Sequence, residues 1–383
     1  MKPWTSVTLA DVCTRPQYGA IAKGSATPKG PLFVRQSDIT NGRIDWSSVP
    51  FCDLAPDEFE KYAINPGDIL ISRLGNGVGN AATVSDTNGA VFAGYLVRFR
   101  TNPEVAIPEF VGYQLQSKNW RQHVANFRSG AAQPTLNAQQ MGEYSFLLPP
   151  IDEQRAIASM LGSLDDKIES DRRTIEKLLA LGRALYEQAI ASGSRQAAIG
   201  EFSEFLNRRR IPLSSKEREA RPGAIPYYGA TGIFGYVDDF LFDEVLVLVG
   251  EDGSVVRDDG GPVTQYIWGK TWINNHAHPL RGRGISNELL YLALDRSDIR
   301  PLVTGAVQPK VSMGNLKSLV IDLPTQIEQA RLESLLSSLF DVLRCRSDEV
   351  RYLEQLRDTL LPELLSGRIR RPRAYEEVSG YVI

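Results

Sequence analysis

The chain has 383 residues, 42% of them hydrophobic and 23% charged, with a formal net charge of −3. That is ordinary globular composition, with length for roughly two to four domains. It excludes a generally basic nucleic-acid binder, no apolar run reaches the roughly 18 residues of a membrane span, and Cys13, Cys52 and Cys345 lie too far apart for a disulfide framework or a zinc pattern.

In chain order, the N-terminus Met1-Lys2-Pro3-Trp4 has no apolar core of a leader, so a reducing, cytoplasmic location is expected. Residues 69–72 and 96–99 read as strands, Gly75-Asn76-Gly77-Val78-Gly79 as a glycine-rich loop between strands, and 108–120 as a helix. Together 1–150 form a first mixed α/β unit. The next proline-free stretch, 151–192, carries Ile157, Leu161, Leu164, Ile168, Ile175, Leu178 and Leu185 at alternating steps of three and four, with Asp171 and Gly182 filling the missing places. This is a heptad seam on a helix of about 40 residues. A second mixed unit, 193–325, follows: 245–249 is a buried strand, Gly250-Glu251-Asp252-Gly253 a turn, and 286–294 a helix with Ser286 as N-cap. Residues 326–370 repeat the seam as Leu332, Leu336, Leu339, Leu343, Arg346, Val350, Leu353, Arg357, Leu360 and Leu364, and 371–383 form a C-terminal tail.

The two halves are copies. Gly130-Ala131-Ala132-Gln133-Pro134 recurs as Gly305-Ala306-Val307-Gln308-Pro309, and the same offset of 175 carries Leu148-Pro149 onto Leu323-Pro324, Glu153-Gln154 onto Glu328-Gln329, and Leu161 onto Leu336. The globular parts follow weakly, with Asp68-Ile69-Leu70-Ile71 falling on Asp243-Glu244-Val245-Leu246. Each helix needs a partner for its stripe, and the economical one is the other copy, antiparallel about a pseudo-twofold axis. At the shared seam defect Asp171 faces the equivalent Arg346; two solvated side chains and a register-fixing polar pair are both open readings.

No catalytic constellation emerges. Gly269-Lys270-Thr271 ends like a phosphate loop, but Thr264 stands where a glycine is required. Gly75-x-Gly77-x-Gly79 lacks a strand–helix frame. His276 and His278 have no third ligand at a metal spacing. There is no Gly-x-Ser-x-Gly elbow and no Asn/Asp-Pro-Pro-aromatic tetrapeptide for amino-methylation of a base. Pro149-Pro150 reads as a helix-start device.

The chain resembles the specificity (S) subunit of type I restriction–modification systems. The resemblance rests on Gly67-Asp68-Ile69-Leu70-Ile71-Ser72-Arg73, the paired Gly-Ala-Ala/Val-Gln-Pro motifs, the helix entrance at 148–155, Tyr227-Tyr228-Gly229-Ala230-Thr231-Gly232, Trp272-Ile273-Asn274-Asn275-His276-Ala277 and the ending 361–367, and it runs to about Arg371. It implies an α+β protein with two target recognition domains separated by two long helices in an antiparallel coiled coil. Each domain would read half of a bipartite, asymmetric site on double-stranded DNA, with the coil as a ruler. Methylation subunits, usually two, would dock on the coil and bring S-adenosylmethionine; restriction and translocation subunits would bring ATP and Mg. The chain itself would bind no cofactor or metal and catalyse nothing. Candidate DNA contacts on loops are Arg73, Asn76, Arg128 and Gln133 in the first unit, and Arg208, Arg209, Arg210, Tyr228, Glu251, Lys270, His276 and Lys310 in the second. Gln133 and its counterpart Gln308 share a motif, which favours a structural or phosphate role over sequence reading.

Three alternatives remain: a type II-like specificity protein with a fused methylase–nuclease, a coiled-coil scaffold whose aromatic loops (Tyr227-Tyr228 and Gln265-Tyr266-Ile267-Trp268) hold a non-DNA ligand, and a self-sufficient methyltransferase.

Overall fold

The computed structural model describes residues 4–127, 135–305 and 308–370. They fall into two compact units: Met1–Ile168 with Tyr352–Ile383, and Glu169–Arg351. The first long helix, Ile151–Ala191, and the second, Gln326–Leu365, each give one part to either unit.

In the first unit the central strand is Asp68–Ser72, buried at all five positions. Its neighbours are Leu96–Arg100 and Ala81–Thr83, and Gln17–Tyr18 lies outside Leu96–Arg100. Ile69 and Ile71 point toward Leu9, Phe110, Trp120, Ile157 and Leu161, whereas Leu70 points toward Val34, Phe92 and Leu96. Period-two alternation on a strand covered on both faces explains the unbroken apolar run. A second sheet, built around parallel Leu32–Val34 and Ala90–Phe92, covers the far side. Thr5–Thr8 pairs with Ser145–Leu148 and brings the chain to the helix entrance.

The second unit repeats this order. Ser203–Phe205, Ala277–Gly282, Leu246–Gly250 and Thr264–Ile267 make the central sheet. Tyr227–Tyr228 runs parallel to Trp272–Ile273, and Ser194–Ala198 pairs with Val320–Pro324. Val247 and Val249 face the helical side, Leu246 and Leu248 the other. The duplication therefore extends through the globular parts, where sequence shows it weakly. It also corrects the ungapped register: Ile69 corresponds to Val247 and Ile71 to Val249, three residues beyond the alignment at a constant offset. Loop lengths upstream of the helices differ, and only the strand's place in the sheet reveals the shift.

Other boundaries move as well. The helix expected over 108–120 is two helices, Pro108–Gln114 and Lys118–Asn126. Ser117 starts the second, its hydroxyl accepting from the Trp120 amide at 3.1 Å. The second central strand is Leu246–Gly250 rather than 245–249. Ser286 does cap Asn287–Arg296.

The helices run antiparallel within each unit. In the first, Asp165 meets Arg357 at 3.1 Å, and Ile157 and Leu161 share a core with Leu364 and Leu365. In the second, Asp171 approaches Arg346 at 3.7 Å, and Phe340 lies against Gly182. Of the seam residues, Ile157, Leu161, Ile168, Asp171, Leu336, Leu339, Leu343 and Val350 are buried. Leu164, Ile175, Leu178, Arg346 and Leu353 are half-buried. The stripe is not reserved for the partner helix. Leu332, Leu336, Leu339 and Leu343 join the same core as Leu289, Leu290 and Val247, so helix and globular part share one hydrophobic interior.

Candidate nucleic-acid interface

In the first unit the chain leaves the central strand at Arg73 and meets two other segments. The Arg73 amide donates to the Tyr95 carbonyl at 3.0 Å, and the Leu136 amide donates to the Arg73 carbonyl at 2.9 Å. Leu74 forms a bridge with Thr135, just beyond the first Gly-Ala-Ala-Gln-Pro motif. The second unit repeats the junction. The Glu251 amide donates to the His276 carbonyl and the Val311 amide to the Glu251 carbonyl, both at 2.8 Å, while Asp252 bridges Lys310. Arg73 thus corresponds to Glu251, Tyr95 to His276 and Thr135 to Lys310. One backbone frame displays different side chains.

At the first junction the Arg73 guanidinium lies 5.0 Å from the ring centre of Tyr18, and its Nε is buried with no hydrogen-bond partner among the described residues. Tyr18 is anchored because its hydroxyl accepts from the Ala138 amide at 3.1 Å. Asn76 is exposed on the single turn Gly75–Gly77. Tyr95, which the sequence did not single out, is 58% exposed. It lay hidden because only the paired carbonyl–amide contact identifies it. Arg128 and Gln133 lie outside the described residues.

At the second junction Arg210 bonds Glu251 at 2.7 Å and donates to the carbonyls of Asn207, Asn275 and Ala277. Lys310 approaches the other Glu251 oxygen at 3.4 Å. Burial raises the Glu251 carboxyl, but the bonded Arg210 and the nearby Lys310 outweigh it and hold the group below its ordinary value. His278 is fully buried, and that burial lowers it. Its Nε2 donates to the Val311 carbonyl at 2.8 Å, so Nδ1 accepts from Asn207 Nδ2 at 2.7 Å. A neutral His278 therefore makes no ion pair with Glu251 despite their 3.5 Å separation. His276 stays half-exposed, with Nδ1 at 2.6 Å from Asp252.

The structure brings Arg210, Glu251, His276 and Lys310 together at one junction. Tyr228 joins them: its carbonyl accepts from the Asn274 amide at 3.0 Å, and the Asn274 side chain accepts from the His276 amide at 2.8 Å. The remaining candidates sit apart from that network. Arg209 pairs with Glu244 at 3.2 Å and covers the Phe242 ring. Lys270 covers Phe240. Arg208 is exposed. Arg210 and Glu251 are occupied with each other, which makes them supports of the junction rather than free readers. The aromatic loops have structural work too: Tyr227 is 1% exposed, Tyr266 bonds Glu288 at 2.5 Å, and Trp268 Nε1 donates to Asp348 at 3.1 Å. That removes the observation favouring a scaffold for a non-DNA ligand. Among the described residues no group of three or more potential ligands could hold a metal, and no helix is long and apolar enough to cross a membrane.

A fold of two topologically equivalent units, each carrying the same loop junction with different side chains, defines a duplicated recognition protein. The family model of the type I restriction modification DNA specificity domain matches residues 1–180 and again 193–348. The chain belongs to that family and is a type I restriction–modification specificity subunit with DNA recognition domains. It is 23% identical over 409 residues to the MjaX specificity subunit of Methanocaldococcus jannaschii, a protein itself assigned only provisionally to a type I restriction enzyme, covering 96% of this chain and 94% of the relative. It is 22% identical over 221 residues to the type I restriction enzyme EcoBI specificity subunit of Escherichia coli, covering 57% and 46%. In fold it is similar to the type I restriction–modification S subunit from M. genitalium, with a TM-score of 0.61 at 18% identity, covering 95% of this chain and 99% of that one.

Proposed function

We propose that each unit reads one half of a bipartite, asymmetric DNA target through its junction, and that the chain supplies recognition while partner subunits supply the chemistry. The observation that carries this reading is the conserved frame with exchanged side chains. Arg73, Tyr95 and Thr135 stand where Glu251, His276 and Lys310 stand in the copy. Glu251 is bound to Arg210, so the second junction faces outward with His276 and Lys310 where the first has Tyr95 and Thr135 beside the Arg73 guanidinium, and two such different surfaces suit unlike half-sites. Asn76, Tyr228, Arg208 and Lys270, and Arg128 and Gln133 outside the described residues, belong to the same proposal as base or phosphate contacts. Because the net charge is −3, affinity depends on where these cations sit rather than on total charge.

The paired long helices are the proposed platform for methylation subunits, two per chain given the duplication, and for restriction and translocation subunits. S-adenosylmethionine, ATP and Mg would then enter with those partners. The test is binding of duplex DNA by the chain together with its methylation subunit, followed by exchange of residues 1–150 for those of a relative. One half of the target should change and the other should persist. A change in both halves, or no salt-sensitive DNA binding, would overturn the proposal. Adding seven residues to each helix should lengthen the gap between the half-sites.

A further inference from the structure

Beside the charged junction of the second unit lies an apolar feature that no core claims. The hairpin Ile225–Tyr228 and Ile233–Val237 occupies the sheet edge, and among the described residues its outer strand pairs only with the inner one. On that strand Ile233, Phe234 and Tyr236 are 40%, 57% and 49% exposed. An exposed apolar edge invites unwanted strand pairing, so its presence calls for an occupant.

The tip is fixed to the junction. Gln265 Nε2 donates to the carbonyls of Gly229 and Ala230 at 2.9 and 3.1 Å, and Tyr228 is tied through Asn274 to His276. Phe234 is also held in place. Its ring lies across Gly229 so closely that a Cβ there would come within 2.1 Å of the ring. Any residue other than glycine would displace it. A positioned, solvent-facing aromatic adjoining a charged junction fits a surface that is mostly polar but carries a single apolar group.

The edge of a DNA base pair in the major groove is such a surface, and its apolar group is the C5 methyl of thymine. We propose that Phe234 reads a thymine methyl next to the base pair faced by His276. This rests on the reading of the junction as a DNA interface. The first unit carries its own apolar flank: Ile21 is 99% exposed, with Cγ1 3.6 Å from where a Cβ of Gly94 would stand, beside Tyr95.

The test uses the full chain with its methylation subunit and a duplex bearing its target, in which each thymine of the second half-site is replaced in turn by deoxyuridine. Removing one buried methyl should weaken wild-type binding roughly four-fold at one position. Phe234→Ala should bind thymine and deoxyuridine equally there, and Phe234→Leu should retain part of the discrimination. The first half-site should be unaffected by either variant. If wild type binds but no position shows a methyl dependence that Phe234→Ala removes, the inference is overturned while the DNA-reading junction stands. If Phe234→Ala instead loses the methylation subunit, the hairpin is a protein-docking edge and the inference is overturned. If wild type with its methylation subunit binds no duplex, both fall.

Discussion

Asp171 and Arg346, equivalent positions in the two copies of the long helix, lie 3.7 Å apart within one unit, with Asp171 only 3% exposed. Glu349 and then Asp171 hold the Arg346 guanidinium above its ordinary value. One seam position has acquired opposite charges on its two copies, and the antiparallel packing joins them. Asp171→Arg or Arg346→Asp alone should lower the melting temperature by placing like charges in the seam. The double reversal should recover most of the loss. A double variant no better than the worse single one would show that the pair does not set register.

The Arg210–Glu251 pair should be the stability keystone of the second junction. Their side chains are 13% and 15% exposed, so Glu251→Ala leaves a guanidinium largely cut off from water. The expected cost is about 3 kcal/mol in denaturant unfolding. Lys310→Ala, at a half-exposed side chain 3.4 Å from the same carboxylate, should cost well under 1 kcal/mol.

Acid should weaken the second unit in two stages. Burial holds His278 below its usual 6.5, so the unfolded chain takes up the proton first. Stability is full above about pH 6.5 and declines as pH falls toward the folded value. Glu251 is held below 4.5 in the fold, so its contribution is full above that pH and is lost at lower pH. Thermal melts between pH 7 and 5.5 should show the first decline, and His278→Gln should flatten it.

Specificity should separate by unit. Arg73→Ala should relax base preference in one half-site by about 1–3 kcal/mol at a single position, and His276→Ala should do so in the other. Methylome sequencing of cells carrying each variant would show which half degenerates. Loss of preference in both halves from one substitution would contradict the division of labour.

Phosphate contacts should show as salt dependence. Arg208→Ala should lower the slope of log affinity against log salt by about 0.9 without altering the preferred sequence, if that exposed side chain meets one phosphate. An unchanged slope would remove it from the interface.

Much of the architecture was legible in the sequence, because the helix repeat holds one offset and its apolar spacing is periodic. Strand Asp68–Ser72 announced itself by an unbroken apolar run. The site was less legible. Arg210 and Glu251 are 41 positions apart, and nothing local marks them as partners. Tyr95 belongs to the interface only because its carbonyl receives the Arg73 amide. Nothing local in the sequence marks Phe234; the glycine beneath it and its exposure single it out.

The sequence by itself determined the duplication, the two long helices and the equivalence of Asp171 with Arg346, since these are properties of order and period along the chain. Only the tertiary structure decided that the copies share strand order despite a three-residue slip, that the helical stripe is divided between partner helix and globular core, and that Arg210 is spent on Glu251. Those facts depend on distances between segments far apart in the chain. Packing and hydrogen bonding set such distances, and periodicity carries no record of them.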